Sequence, residues 1–360
     1  MPTTPTRIAI LDEDHVVGLV QALLTADRSE AEFKLKAFFA PEACDLTAVW
    51  TALSGLTARF AIQVVKCKRP EDAIGAAILL FRRGQVAGDM IDSNPALRLI
   101  QRWGERSDMI DCQAASKNGV WVSCLARPSL HFVAEHVLML MMALAKKLRA
   151  CSESVRNTSE SNAGGMDGET RYNWPGLPGI GGLYGRTLGI VGVGEIGTLV
   201  ARRARALGMK VIYTNRARLP VDEEVVLGVE YRGLDDLLGE SDFVSLHATN
   251  LAENEKLMNT SRFAKMKRDA FFINTSRGRF VDEDALFAAL NKRAIAGAGL
   301  DVHRQEPRPY ADRFFGLDNV ILTPHLAGGS RLGTLGEINA VLDNFRAALD
   351  GQPPVHGRIV

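Results

Sequence analysis

Cysteine is scarce and scattered in this chain: five residues, Cys44, Cys67, Cys112, Cys124 and Cys151, among 360. No two stand at a metal-ligand spacing, and the number is odd, so neither a cysteine-based metal site nor a disulfide frame is expected. Reduced thiols in a cytoplasm, and no bound metal, are the expectation. A charge excess is lacking too. The formal net charge is +1, which offers no bulk field to nucleic acid or to an anionic membrane. The longest apolar run, Val137–Ala145, is far too short to span a bilayer. The N-terminus, Met1-Pro-Thr-Thr-Pro-Thr-Arg, has no basic region followed by an apolar stretch and does not read as a secretion signal. There is no internal repeat. What remains is an ordinary globular composition, 46% apolar and 24% charged, in a chain long enough for two domains.

The second half alternates. Strand-like apolar runs stand at Thr187–Val191, Lys210–Thr214, Phe243–His247, Phe271–Asn274, Ala296–Leu300 and Asn319–Leu322, with helical patterns between them at Ile196–Leu207 and Asp282–Asn291. Strand–helix alternation predicts a parallel sheet covered on both faces. In the first half Arg7–Asp12 and Ala76–Phe81 read as buried strands, with Glu32–Phe39 and Ala61–Cys67 as weaker ones. Leu130–Leu148 has helical spacing and a wide apolar face, which suits a core helix or a subunit contact. Residues 157–185, rich in Gly, Ser, Asn and Pro, read as an exposed loop, and Leu332–Leu349 as a closing helix.

Gly192-Val-Gly194-Glu-Ile-Gly197 follows a strand and opens a helix. In that setting the first glycine permits the tight turn, the second lets backbone approach a pyrophosphate, and the third lets helix and strand pack closely. The helix N-terminus offers unpaired N–H groups to the phosphates. The next strand ends in Asn215-Arg216-Ala-Arg218, where an acidic residue would bind both ribose hydroxyls of NAD. Asn215 removes the charge that would repel a 2′-phosphate, and Arg216 and Arg218 could bind one, which favours NADP over NAD.

Ligands of an open parallel sheet bind beyond the carboxyl ends of its strands. Three such ends carry Asn274-Thr-Ser-Arg277, Asp301 and Thr323-Pro-His325, and Glu306 follows soon after Asp301. An arginine grips a carboxylate or carbonyl oxygen in two-pronged fashion. A histidine gives or takes a hydroxyl proton near neutral pH, and a carboxylate beside it orients it. The set Arg277, Glu306 and His325 therefore suits hydride exchange between a nicotinamide and a small 2-oxo/2-hydroxy acid. Taken singly, the three also fit a surface ion pair, a solvated charge and a satisfied loop histidine.

At these residues the chain resembles the D-isomer-specific 2-hydroxyacid dehydrogenase family, which includes phosphoglycerate dehydrogenase and glyoxylate/hydroxypyruvate reductases. The resemblance runs from about Ala76 to Pro353. It is carried by Gly185–Gly197, Asp242–His247, Phe272–Gly278, Gly299–Val302 with Glu306-Pro307, and Asn319–His325. Upstream, Pro95–Ile100, Asp108–Asp111, Ala114-Ala115 and Val133–Glu135 fit the same pattern. The likeness implies an α/β fold of two Rossmann-like domains. A nucleotide-binding domain, residues 126–326, would be inserted into a discontinuous flavodoxin-like substrate domain, residues 1–125 and 327–360, with the active site in the cleft. It implies that Arg277 binds the 2-oxo acid, His325 is the acid/base and Glu306 supports the histidine. The backbone at Gly194, Glu195 and Ile196 would meet the pyrophosphate, and His247, Ala248 and Thr249 the adenosine side. Asn274, Thr275 and Ser276 would line the nicotinamide half. Asp301 would stand near the carboxamide, and Gly328 also on the cofactor side. A homodimer through the helix after Pro128 is the usual assembly. The runner-up activity is a dinucleotide-sensing, co-repressor-like protein of the same fold. Formate dehydrogenases pair their histidine with glutamine, so Glu306 argues against them.

The departures are specific. The family's substrate loop has Gly-x-Gly-x-Asp, whereas this chain reads Gly104-Glu-Arg106-Ser-Asp108. Arg106 would crowd that loop or add a cation. Phe81-Arg82-Arg83-Gly84 matches a second substrate loop. Arg82, Arg83 and Arg106 suggest a substrate with an extra anionic group, and each fits a solvent-exposed charge equally well. Thr249 stands where proline is usual, and the stretch before Ala76 is longer than usual.

Overall fold

The structure is a computed structural model that describes residues 5–12, 14–25, 27–39, 45–157, 173, 176–248, 252–329 and 333–360. The chain begins β1 (Thr6–Ile10), α1 (His15–Thr25), α2 (Arg28–Phe39), α3 (Thr47–Thr57), β2 (Ile62–Lys66), β3 (Ile78–Phe81), α4 (Gly88–Asp92), β4 (Leu99–Arg102), α5 (Cys112–Lys117) and β5 (Trp121–Cys124). It continues α6 (Pro128–Ala145), α7 (Leu148–Arg156), β6 (Thr187–Val191), α8 (Glu195–Ala206), β7 (Lys210–Thr214), α9 (Val221–Leu227), β8 (Glu230–Tyr231) and α10 (Leu234–Glu240). The last elements are β9 (Phe243–Leu246), α11 (Thr260–Phe263), β10 (Phe271–Asn274), α12 (Glu283–Asn291), β11 (Gly297–Leu300), β12 (Val320–Leu322) and α13 (Gly333–Leu349). Backbone contacts divide it into two units, Met1–Ser129 with Ser330–Val360, and Leu130–Gly329. The sequence reading put these divisions after residues 125 and 326.

The first unit holds a five-stranded parallel sheet in the order β2-β1-β3-β4-β5, the flavodoxin-like order. Its strand order reverses between β1 and β3. Helix α2 corrects the strand expected over Glu32–Phe39. Glu-Phe-Lys-Leu-Lys alternates as a strand would, yet Ala31, Leu35 and Phe39 are buried at a spacing of four while Phe33 is 73% exposed. The four-residue period governs, because it lets one face of the helix join the core around Val49, Leu53 and Phe345.

The second unit holds a seven-stranded parallel sheet in the order β12-β11-β10-β9-β6-β7-β8, the dinucleotide-binding order with one strand added. Strands β9, β10 and β11 are buried along nearly their whole length, which is why they read as unbroken apolar runs. Helix α12 starts where Asp282 accepts from the N–H groups of Asp284 and Ala285. Helix α6 is long and apolar enough, by length and composition, to cross a membrane. Its Ala134, Val137, Leu140, Met141 and Leu144 instead lie in the core against Leu188, Ile190 and Phe243. It ends at Ala145, earlier than the expected Leu148, because Lys147 turns left-handed (φ 50°). Of the loop expected over 157–185, residues 158–172 and 174–175 lie outside the described residues.

Candidate active site

The strand order of the second unit reverses between β6 and β9, and the glycine loop leaves β6 at that point. Gly192 has φ +103°, and a Cβ there would lie 2.8 Å from the His247 carbonyl oxygen at the end of β9. A Cβ on Gly197 would lie 2.4 Å from the Gly192 carbonyl oxygen. Both glycines are demanded by backbone packing. Gly194 is different: no described atom lies within 4 Å of its Cβ position, and it caps α8 without a side-chain bond. A loop closed inwards by two glycines and open outwards at the third is a cradle that fits a dinucleotide pyrophosphate. Glu195 and Ile196 form the first turn of α8 beneath it. Thr275, at the end of β10, is buried with its Oγ1 unpartnered among the described residues, a second polar group suited to a bound cofactor.

The residues expected to read the ribose divide. Asn215 turns inwards. Its Oδ1 accepts from Val193 N at 2.7 Å, and its Nδ2 donates to Val193 O at 3.3 Å, so it braces the glycine loop. Arg218 donates through Nε and Nη2 to both oxygens of Glu224, each at 2.8 Å. The buried Tyr213 hydroxyl donates to the same carboxylate at 2.6 Å. These hydrogen bonds, Arg218's first, pull Glu224 down to about 2, and burial pushes Tyr213 up to about 12. Arg216 is 74% exposed, with one bond to Glu253 at 2.7 Å. His247 accepts or donates at Ser245 Oγ, 2.8 Å away, and burial pushes its imidazole down to about 4, so it is neutral at physiological pH. Ala248 follows it half-buried, and Thr249 lies outside the described residues.

At the rim beyond β10, β11 and β12 the three catalytic candidates separate into a pair and a neighbour. His325 Nδ1 stands 2.6 Å from Glu306 Oε2, and Glu306 Oε1 accepts from the His303 N–H at 2.8 Å. Partial burial raises the Glu306 carboxyl, but the bonds from His325 and His303 outweigh it and hold it below its usual range. With Nδ1–H given to the carboxylate, Nε2 is the nitrogen left for a substrate oxygen. Arg277 stands exposed on the turn after β10, its Nη1 donating to Ser276 O at 2.6 Å. Asn274 fixes that turn, accepting from Ser276 N at 3.0 Å and donating to Arg277 O at 3.1 Å, while Ser276 Oγ donates to Leu246 O at 2.6 Å. The Arg277 turn meets the Glu306 turn through Gly278, whose Cβ position is 2.0 Å from the His303 carbonyl carbon.

Asp301 is fully buried and its carboxylate is occupied by the loop that carries His325. Oδ1 accepts from Thr323 Oγ1 at 2.6 Å and Leu326 N at 3.0 Å, and Oδ2 from Ala327 N at 2.8 Å. The structure makes it a clamp on that loop, along which half-buried Gly328 also lies. His136 of α6 completes the clamp at 3.0 Å from Thr323 Oγ1. Burial pushes its imidazole down despite Asp301 nearby, so it is a neutral donor.

In the first unit, the arginines expected to recruit an extra anion are paired internally. Asp12, beyond β1, accepts from the N–H groups of Arg82 and Arg83, beyond β3, which ties the point where that sheet's order reverses. Arg82 also bonds the well-buried Asp14 carboxylate, with Arg83 at 3.7 Å. Gly104 is buried, and Arg106 bonds Asp108 at 2.9 Å. The Arg106 carbonyl accepts from Arg102 Nη1.

Residues 138–327 match the sequence model of the NAD binding domain of the D-isomer specific 2-hydroxyacid dehydrogenases. Over 279 residues the chain is 37% identical to a glyoxylate reductase of Korarchaeum cryptofilum, covering 77% of this chain and 81% of that protein. The chain belongs to the D-isomer specific 2-hydroxyacid dehydrogenase family. A glyoxylate reductase of Thermococcus kodakarensis is 35% identical over 290 residues, covering 81% of this chain and 84% of its own. Among solved structures, a Thermus thermophilus protein is 27% identical with a TM-score of 0.54, covering 99% of this chain and 100% of that one. An acyclic imino acid reductase in complex with NADPH and D-Arg is 25% identical with a TM-score of 0.55, at the same coverage. As a member of this family the protein is an NAD(P)-dependent oxidoreductase. Sequence reasoning placed Thr323 at the rim without a role and did not find His136, His303 or Arg308. Each acts by its position against another segment, and no local pattern announces that.

Proposed function

We propose that this dehydrogenase reduces a small 2-oxo acid to the D-2-hydroxy acid, with NADPH as the preferred reductant. The observation that carries the reading is the His325–Glu306 pair, 2.6 Å apart, on the rim that also presents Arg277. When bound, the reduced nicotinamide supplies a hydride to the carbonyl carbon. Arg277 binds the substrate carboxylate and carbonyl oxygen through its two-pronged guanidinium, which sets the carbonyl face. The proton on His325 Nε2 goes to the carbonyl oxygen as it becomes the hydroxyl. Glu306, ionised because its partners hold its carboxyl low, keeps Nδ1–H directed at itself and stabilises the imidazolium before transfer. The glyoxylate reductases among the relatives support a small acid. The pairing of Arg106 with Asp108 favours a monoanion over the doubly charged substrate that the sequence suggested.

Replacing Arg277 by alanine is the direct test. kcat/KM is expected to fall by about 10²-fold, the usual loss when one preorganised charge-stabilising donor is removed, with NADPH binding by calorimetry unchanged. Retained turnover would contradict the assignment. The cofactor preference rests on Asn215 in place of an acid and on Arg216, whose exposed partner Glu253 is easily displaced. Arg218 would have to surrender both bonds to Glu224, so it contributes to the loop rather than to the phosphate. Arg216→Leu is expected to weaken NADPH binding about tenfold, the worth of a charge-assisted bond, and to leave NADH unchanged. Equal effects on both would remove the NADP assignment.

A further inference from the structure

His303 touches every segment that carries a proposed catalytic residue. Its backbone N–H donates to Glu306 Oε1 at 2.8 Å. Its carbonyl carbon and oxygen lie 2.0 Å and 2.1 Å from the Cβ position of Gly278, next to Arg277. Its Nε2 is 2.8 Å from the carbonyl oxygen of Thr323, two residues before His325, and the His325 N–H donates to that same oxygen at 3.1 Å. The fourth contact decides the direction of the third. Arg308 Nε stands 2.8 Å from His303 Nδ1, and a guanidinium nitrogen only donates. Nδ1 therefore accepts, and Nε2 carries the hydrogen and donates to Thr323.

Arg308 is itself fixed. Its side chain is 8% exposed, Nη2 donates to Glu283 Oε1 at 2.6 Å, Nη1 bonds Asp312, and the guanidinium lies 4.7 Å from the centre of the Phe314 ring. The residue held at the far end is under strain. His325 has φ +54°, in the left-handed region that a side chain adopts only when its surroundings enforce it. Thr323 is the last residue before that turn with bonds on both its side chain and its carbonyl. Asp301 and His136 take the first, and His303 takes the second.

We propose that His303, its tautomer set by Arg308, is a positioning residue that holds the Thr323–His325 turn so that His325 stays in line with Glu306. This rests on the assignment of His325 and Glu306 given above. The side chain of His303 reaches no reacting atom; it acts through the Thr323 carbonyl.

Three replacements separate its two nitrogens. His303→Gln keeps a donor near the position of Nε2, His303→Asn keeps only a group near Nδ1, and His303→Phe keeps the ring and neither bond. The Asn and Phe variants are expected to lose about 10²-fold in kcat, the cost of displacing a reacting group by about 1 Å, with NADPH dissociation constants unchanged by calorimetry. His303→Gln is expected to recover most of that loss. In the Asn and Phe variants the acid limb of kcat/KM moves to higher pH. Glu306 there keeps the His303 backbone bond but loses the His325 bond that lowers its carboxyl. Should the Phe variant fail to fold, the Asn variant carries the same comparison. Wild-type kcat and an unmoved acid limb in Asn and Phe would overturn the proposal, and so would a Gln variant as impaired as Phe. His325→Gln measured in parallel distinguishes the failures: an active His325→Gln sinks the catalytic pair itself, whereas an inactive one beside a fully active His303→Phe sinks only the role of His303.

Discussion

His325→Gln is expected to lower kcat/KM for 2-oxo acid reduction by about 10³-fold, within the range for loss of a positioned general acid, while leaving NADPH affinity within about twofold. Glutamine keeps a polar amide of similar reach but has no titratable proton. The loop itself should survive, because its anchors are elsewhere: Asp301 accepts from Thr323, Leu326 and Ala327, and His303 donates to Thr323. The pH dependence gives a second reading of the same experiment. Glu306 has its carboxyl held below the usual range, so it is ionised above that lowered value and protonated only as the pH falls through it. The wild-type enzyme is therefore expected to keep the Glu306 contribution to a lower pH than an ordinary carboxylate would and to lose it as the pH falls further. Removing His325 removes the bond that lowers the carboxyl, and any residual activity that needs an ionised Glu306 fails at a higher pH. Steady-state kinetics from about pH 3 to about pH 7, which brackets the usual carboxylate value on both sides, would check this. Full activity in His325→Gln would end the acid–base assignment.

The two halves of the chain were unequally legible. In the second unit the strands are buried on both faces and packed between helices, so hydrophobic run and strand coincide, as at Lys210–Thr214 and Phe271–Asn274. In the first unit, the lysine–apolar alternation within α2 satisfies period two locally and so reads as a strand. Only the packing of Leu35 and Phe39 selects the helix. The site shows the same division. Arg277, Glu306 and His325 were visible because they stand just past strand ends, where an open sheet binds ligands. The partners of charged side chains were not. Arg216 and Arg218 look equivalent in the sequence. Yet Glu224, on the following helix, takes Arg218 in a two-pronged bond and leaves Arg216 at the surface. Likewise the Asp12–Arg82 tie joins residues 70 apart in sequence, through a sheet crossover that no local pattern encodes. Asp301 was legible as a site residue, but its saturation by three loop donors is a fact of packing.

Gly278→Ala is expected to be as damaging as the loss of His325, by a different route. The added Cβ would lie 2.0 Å from the His303 carbonyl carbon, 2.1 Å from its oxygen and 2.4 Å from Arg304 N. All three are backbone atoms, so no flexible side chain can yield. The Arg277 turn and the His303–Glu306 turn must part, at the upper end of the cost of overpacking, about 3 kcal/mol. Displacing Arg277 alone by about 1 Å would cost about 10²-fold in rate, and here Glu306, the partner of the general acid His325, moves with it. A loss of about 10³-fold in kcat/KM with a lowered melting temperature is expected. Gly194→Ala supplies the contrast, because its Cβ points where no described atom lies. That variant should melt like the wild type when free of cofactor and fail chiefly in NADPH binding, since its methyl group enters the space the pyrophosphate needs. The two variants would thus separate the two roles proposed here: Gly278 holding the Arg277 and Glu306 turns in register, and Gly194 keeping the loop open to the cofactor. A Gly278→Ala enzyme with normal kcat/KM would mean that the turns do not need the contact on which their registry is here based.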